Sequence, residues 1–236
     1  MRMTRMLAAA CLLSVGLVVA GGCGTAASKV VGLKGFWSFD EGGGDVAKNA
    51  VGFNHGQVQG GLKRTDGKRS NAILCDGKGY VLIPSESYLN SVRYTFAAWV
   101  KLEDTGNYQY IVWRGGPTFP EAKECRNLDI WVTMEGVLSG LLDYQKEGEP
   151  RLSLVGTKKV ADGQWHLVAC VNDGRAVRFY VDGQKDAEGA LAGPLVTSDF
   201  PLWIGARPGD VAATGVIDEV RFFDRAMTDQ EVAELR

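Results

Sequence analysis

The sequence predicts an all-β fold, a two-sheet antiparallel jelly-roll sandwich closed by a short C-terminal helix, and three observations carry that prediction. From Leu33 onward, short runs rich in Val, Ile, Phe, Tyr and Trp alternate with Gly, Asp and Asn punctuation. Asp173-Gly174 and Asp182-Gly183 each follow a strand-like run, and Asp-Gly supplies the positive φ that two-residue hairpins demand. No apolar helical period persists until the last nine residues. Many antiparallel strands joined by tight turns close their edges as sandwiches, of which the jelly roll is the large form.

Residues 1–22 read as an export signal, with Arg2 and Arg5 as a positive n-region and Leu7 to Ala20 as an apolar h-region ending in small residues. That stretch is short for a spanning helix, which needs roughly 20 apolar residues. The Ala20-Gly-Gly-Cys23 that closes it resembles the lipobox of bacterial lipoproteins, which implies cleavage before Cys23 and acylation of its thiol. Ala20 stands where that pattern more often has Leu, so plain signal-peptidase cleavage is the competing reading. Gly24 is not the Asp that marks inner-membrane retention in some bacteria, which favours the outer membrane or cell surface. Residues 23–32 are then the lipidated Cys and a short tether, of which Gly24 to Val31 reaches only about 30 Å when extended at roughly 3.5 Å per residue.

Residues 33–236 form one domain, since the 214 residues left of 236 suit one large β domain better than two ordinary ones. Without Arg2 and Arg5, the 26 basic residues fall to 24 against 28 acidic ones, a net of −4. No stretch clusters Lys and Arg with aromatics, so nucleic acid is excluded as a partner class. Cys75, Cys125 and Cys170 remain in the folded part. An odd count permits one disulfide at most, and buried free thiols are equally compatible with the apolar runs around two of them.

In HLVACVNDGRAVRFYVDG, Val177, Phe179 and Val181 share one face of a strand while Arg178 and Tyr180 share the other. A turn at Glu135-Gly136 joins the runs 127–133 and 137–143. At the C-terminus Thr228-Asp-Gln-Glu231 is a capping box, and Val232 and Leu235 lie on one side of the helix it starts.

Seven strings, GLKGFWSFDEGGG, FNHGQVQGG, LCDGKGYVLIP, YTFAAWVKL, GQWHLVA, RFYVDGQ and IDEVRFFDRAMTDQEV, occur in this order over nearly the whole mature chain. In that order the chain resembles bacterial laminin-G-like jelly-roll domains of the concanavalin A-like lectin/glucanase superfamily. The resemblance implies that the first and last strands meet, bringing residues 36–40 near 216–222. It also implies a structural Ca²⁺ at that junction, with Asp40 and Asp218 as carboxylates and Asn54 or Gly carbonyls completing the 6–8 oxygen ligands the ion takes. The alternative is that Asp40 and Asp218 only hydrogen-bond turns or pair with Arg221. The fold leaves the ligand open, because it hosts lectins, adhesion modules and glucanases alike.

A retaining glucanase needs two carboxylates about 5–5.5 Å apart, and the ExDxE string that supplies them in the relevant families is absent. Asp40-Glu41 and Asp218-Glu219 are adjacent residues, which point to opposite faces of a strand. His166 lacks a neighbouring Ser or Cys nucleophile, and His55 lies in a Gly-flanked turn; both read as structural. No GxSxG, HExxH or phosphate loop is present. The expectation is therefore a protein that is not an enzyme.

Binding has more support. In Asn127-Leu-Asp-Ile-Trp-Val-Thr133 the period of two puts Asn127, Asp129, Trp131 and Thr133 on one face. An aromatic ring stacks on apolar sugar faces while amide and carboxylate groups bind hydroxyls. Tyr108, Tyr110, Trp113 and Arg114 precede a Gly-Gly-Pro loop and extend the same candidate groove. Trp113 and Trp131 are equally compatible with filling the core between sheets, whereas Trp37, Trp99 and Trp165 read as packing. The expected function is a non-catalytic module of the cell envelope that holds carbohydrate or another envelope component. A structural or protein–protein adhesion module is the alternative, and a polysaccharide hydrolase the weaker one.

Overall fold

The computed structural model describes residues 30–116, 125–146, 150–207, 209 and 211–236. The expected signal segment and Cys23 lie outside the described residues. Among the described residues no helix is long and apolar enough to cross a membrane.

Two antiparallel sheets face each other. The first is built from β1 (Leu33–Trp37), β4 (Lys63–Asp66), β5 (Asn71–Asp76), β7 (Tyr94–Leu102), β12 (His166–Asn172), β13 (Ala176–Val181), β14 (Gln184–Ala190) and β16 (Thr214–Phe223). Its order is β14-β13-β12-β7-β16-β5-β4, with β1 also on β16. The second contains β2 (Val46–Ala47), β3 (Gly56–Gln59), β6 (Tyr80–Ile83), β8 (Gln109–Arg114), β9 (Leu128–Val132), β10 (Val137–Leu142), β11 (Leu152–Lys159) and β15 (Leu202–Ile204). Its order is β11-β10-β9-β8-β15-β6-β3-β2.

β16 organises the first sheet. One of its edges pairs with β7, and the other is shared by β5 opposite Thr214–Ile217 and β1 opposite Val220–Phe223. The first and last strands therefore meet as the family resemblance implies, with Trp37 opposite Val220. Alternation decides what each strand buries. From β7, Tyr94, Phe96, Ala98, Val100 and Leu102 enter the core between the sheets, where Trp37, Phe179, Val181 and Phe222 meet Ile83, Ile130, Val132 and Ile204. Each such fully buried large side chain contributes roughly 1.5–3 kcal/mol.

The opposite face of β7 is buried as well. Ala97 joins Ala169, Val171, Tyr180 and Phe223 in a second, smaller cluster beneath Met227 and Val232. The cover is the C-terminal helix α1 (Asp229–Ala233), started by the expected capping box: Thr228 Oγ1 accepts from the Glu231 amide and Glu231 reaches back to the Thr228 amide. Tyr180 therefore packs rather than facing water, and its hydroxyl donates to Asp229 Oδ1 at 2.7 Å.

The turns follow their residues with one difference. Asp182 and Gly183 both take positive φ, 53° and 74°, and join β13 to β14 in the two-residue form. The Asp173-Gly174 connection holds a third residue, because Asp173 Oδ1 accepts the amides of both Arg175 and Ala176 and widens the loop. Cys75 and Cys170 are buried free thiols. Burial pushes the Cys75 and Cys170 thiols up to about 12, which makes them apolar fillers.

Candidate functional site

The strongest concentration of aromatic and charged side chains lies on the face of the second sheet that points away from the core. A β-bulge creates it. In β8, Tyr110 stands opposite Trp131 and Val112 opposite Ile130, so Ile111 is an extra residue. Ile111 and Val112 both enter the core, and the parity of the strand is reset. Tyr110 and Trp113, three apart, therefore share the outer face, where simple alternation would separate them.

Neighbouring strands complete two rows. Trp113 stands opposite Asp129 on β9 and opposite Trp203 on β15, and Trp203 opposite Leu82 on β6. Tyr110 stands opposite Trp131, and Trp131 opposite Ser139 on β10. The Trp113 and Trp203 rings lie 5.1 Å apart at 55°, and those of Tyr110 and Trp131 5.7 Å apart at 40°. Arg207 places its guanidinium 5.9 Å from both the Tyr110 and Trp113 rings and donates to the Tyr110 hydroxyl at 3.2 Å. Beside them Arg126 bridges Asp129 at 3.5 Å and Asp143 at 4.0 Å, and Arg151 reaches Asp143 at 2.7 Å. Trp131 and Trp203 keep part of their rings in solvent, while Trp113, Asp129 and Tyr110 form the buried floor.

Trp131, Trp113, Tyr110 and Asp129 thus come together, and neither Trp fills the core between the sheets. Trp203 is a member that sequence reasoning missed. Arg114 does not join them, which corrects its expected place in the groove. The reset parity turns it inward, where it is fully buried. Its guanidinium donates to Phe200 O at 3.1 Å, Leu89 O at 3.1 Å, Asn90 Oδ1 at 2.9 Å, Ser85 Oγ at 3.3 Å and Ser198 O. Burial lowers it to about 10, with the charge of Asp199 pulling the other way. Arg114 is a strut that ties two connections to β8.

The residues expected to hold Ca²⁺ do not fit it. Asp40 Oδ1 accepts from the Asn71 amide, and Asp218 accepts from the amides of Arg69 and Glu219, so both hold the β4–β5 turn and its surroundings. Asn54 belongs to another network, in which its Oδ1 accepts from Asn49 Nδ2 at 2.7 Å and its amide donates to Tyr88 at 2.6 Å. Burial, and then the charge of Glu219, raise the Asp218 carboxyl to about 7. Among the described residues no group of three or more His, Cys, Asp or Glu is placed to hold a metal. Arg221 pairs with Glu219, not with Asp40 or Asp218. His166 is clamped by Asp182 at 2.8 Å and Asp162 at 3.2 Å, and His55 Nδ1 accepts the Asn49 amide.

Fold and strand order together define an antiparallel jelly-roll sandwich. A family model described as the concanavalin A-like lectin/glucanases superfamily, in its laminin G form, matches residues 76–233, and the chain belongs to that family. No curated protein matches the sequence. Among solved structures, the chain is similar to domain 4 of an extracellular GH43 arabinanase from Geobacillus stearothermophilus in complex with arabinotriose. The TM-score is 0.62 at 22% identity, over 86% of this chain and 97% of that one. The binding domain of Paraclostridial Mosquitocidal Protein 1 aligns with TM-score 0.66 at 13% identity, over 86% of this chain and 51% of that one. Trypanosoma rangeli sialidase in complex with sialic acid aligns with TM-score 0.65 at 20% identity, over 92% of this chain. The chain thus spans about half of the second structure and a third of the third, 34%. At these identities the likeness shows the fold.

Proposed function

We propose that the protein is a non-catalytic binding module of the cell envelope that holds a glycan on the outer face of its second sheet. The observation that carries this reading is the Tyr110, Trp113, Trp131 and Trp203 platform, framed by Arg126, Asp129, Asp143 and Arg207. The partly exposed rings of Trp131 and Trp203 offer flat apolar faces to the C–H surfaces of a sugar, and Arg207 and Arg151, which keep solvent exposure beside them, offer hydrogen-bond donors to its hydroxyls. The ligands of two similar structures, arabinotriose and sialic acid, support the same ligand class. Both carboxylates of the frame are ion-paired to Arg126, an arrangement suited to orienting hydroxyls. The lipid expected on Cys23 would keep the module at the membrane surface.

The test is a glycan array with the wild type and Trp131→Ala. The wild type should retain a defined set of glycans, and the variant should lose at least about tenfold in affinity, the equivalent of about 1.4 kcal/mol. Since Trp131 lies outside the core and keeps part of its ring in solvent, the variant's melting point should stay close to wild type, whereas truncating a core Trp such as Trp37 costs roughly 3–5 kcal/mol. Undiminished glycan binding by Trp131→Ala would move the site off this face, and an array with no retained glycan would leave the adhesion reading in its place.

A further inference from the structure

A second polar recess lies at one end of the sandwich and shares no lining residue with the aromatic platform. It sits where the 3-10 turn Ser87–Asn90, the residue before β9, the end of β12 and the segment 191–197 converge. Its volume is about 60 Å³. Three asparagines, Asn90, Asn127 and Asn172, line it together with Tyr94, and Val92 and Leu191 supply apolar wall. None of the lining residues is Asp, Glu, Lys, Arg or His. Burial raises Tyr94 well above its ordinary value, so it stays neutral too.

The hydrogen bonds around Asn127 leave one place unfilled. Its backbone amide donates to Arg114 O at 3.2 Å, and its carbonyl accepts from the Tyr94 hydroxyl at 2.8 Å. Its Nδ2 donates to Asn90 Oδ1 at 3.3 Å. Its Oδ1 is buried and accepts from no protein donor, although Asn127 is only 5% exposed. Buried acceptors are ordinarily satisfied, and an orphan beside an opening calls for a donor from outside the chain. The rest of the recess is rigid: Asn90 Oδ1 also accepts from Arg114 Nη1 at 2.9 Å and the Ser198 amide at 3.0 Å, and Asn90 Nδ2 donates to Ser198 O at 3.0 Å.

We infer that this recess is a second ligand site, which takes the hydroxyl-bearing edge of a neutral sugar or polyol. No charged side chain lines the recess, and the guanidinium of Arg114, which bonds Asn90, is committed to five protein acceptors, so an ionic group would be desolvated there without a free partner. A hydroxyl both donates and accepts, which matches side-chain amides and the Asn127 Oδ1 acceptor. The volume exceeds the roughly 30 Å³ share of one water and falls short of a whole sugar ring, so an edge enters while the ring stays at the mouth. Val92, 74% exposed, stands at that mouth.

The test is a titration of the full ¹⁵N-labelled chain with neutral monosaccharides and glycerol, read on the side-chain amide signals of Asn127 and Asn172. Saturable shifts are expected with dissociation constants on the order of 1–10 mM. Val92→Trp plugs the mouth from an exposed position and should weaken them by at least about tenfold, as should Asn127→Leu if that variant folds. Trp131→Ala should leave them intact, which separates this site from the platform. No shift with any sugar or polyol up to about 100 mM, far above that affinity range, or shifts unchanged by Val92→Trp, would overturn the inference and leave a recess that holds water only.

Discussion

Replacing Arg114 offers the most direct test of how the second sheet is held. Five hydrogen bonds leave its guanidinium, three of them to Ser85, Leu89 and Asn90 and two to the backbone carbonyls of Ser198 and Phe200. A hydrogen bond to a charged group contributes about 1.5–3 kcal/mol, and a stranded acceptor costs about 1–3 kcal/mol. Both connections are near the surface and regain some water, so the five do not add. Arg114→Ala should cost about 3–5 kcal/mol, the range for breaking a buried charged contact. For a domain of this size each kcal/mol moves the melting point about 2–4 °C, which puts the drop at roughly 6–20 °C. Arg114→Lys retains the charge but only three donors and no planar fork, so it should fall between the two. Urea unfolding and calorimetry measure both. A variant Arg114→Ala that melts within about 2 °C of wild type, under 1 kcal/mol on that scale, would refute the strut and return Arg114 to the surface.

Two further outcomes follow from the first sheet and its helix. The Asp218 carboxyl, ordinarily at 3.8, stands at about 7 because burial and Glu219 disfavour its charge. An acid raised on folding adds no penalty below its unfolded value and an increasing one above it, so stability falls as pH rises from about 4 to about 7. At about 1.4 kcal/mol per pH unit, reduced for screening, the loss is roughly 2–4 kcal/mol. Asp218→Asn should flatten that slope in urea titrations at each pH, and parallel slopes for the two proteins would defeat the assignment. Thr228→Ala removes the acceptor of the capping box and should cost about 1 kcal/mol. Its melting point should drop by about 2–4 °C, with faster exchange of the Glu231 amide; an unchanged exchange rate would show that packing on Tyr180 alone holds the helix.

Much of this architecture was legible in the chain because it rests on local chemistry. Asp182-Gly183 names its turn through the positive φ both residues accept, and Thr228 and Glu231 name a helix start through reciprocal hydrogen bonds. The face shared by Asp129 and Trp131 follows from an unbroken period of two. Other features depend on distant contacts or irregular backbone. Simple alternation puts Arg114 on the outer face with Tyr110, but a bulge at Ile111 changes the parity of β8, and Ile111 looks like any other strand residue. Trp203 escaped notice because β15 is only three residues long, Leu202–Ile204, and its neighbours β6 and β8 come from far earlier in the chain. Asn54 was grouped with Asp40 by the family resemblance, whereas its amide is committed to Asn49 and Tyr88.

The position of β16 bears on the order in which the sandwich is assembled. Its first residue is Thr214, and it lies between β7 on one side and β5 and β1 on the other. Before that strand leaves the ribosome, the first sheet exists only as separate pieces: β4 with β5, β1 alone, and β7 with β12, β13 and β14. Pairings between such distant parts of a sequence are slow to form, since the chain loses loop entropy before the contacts return it. The keystone arrives last, so an unfinished chain can complete its second sheet but cannot close the first one over it.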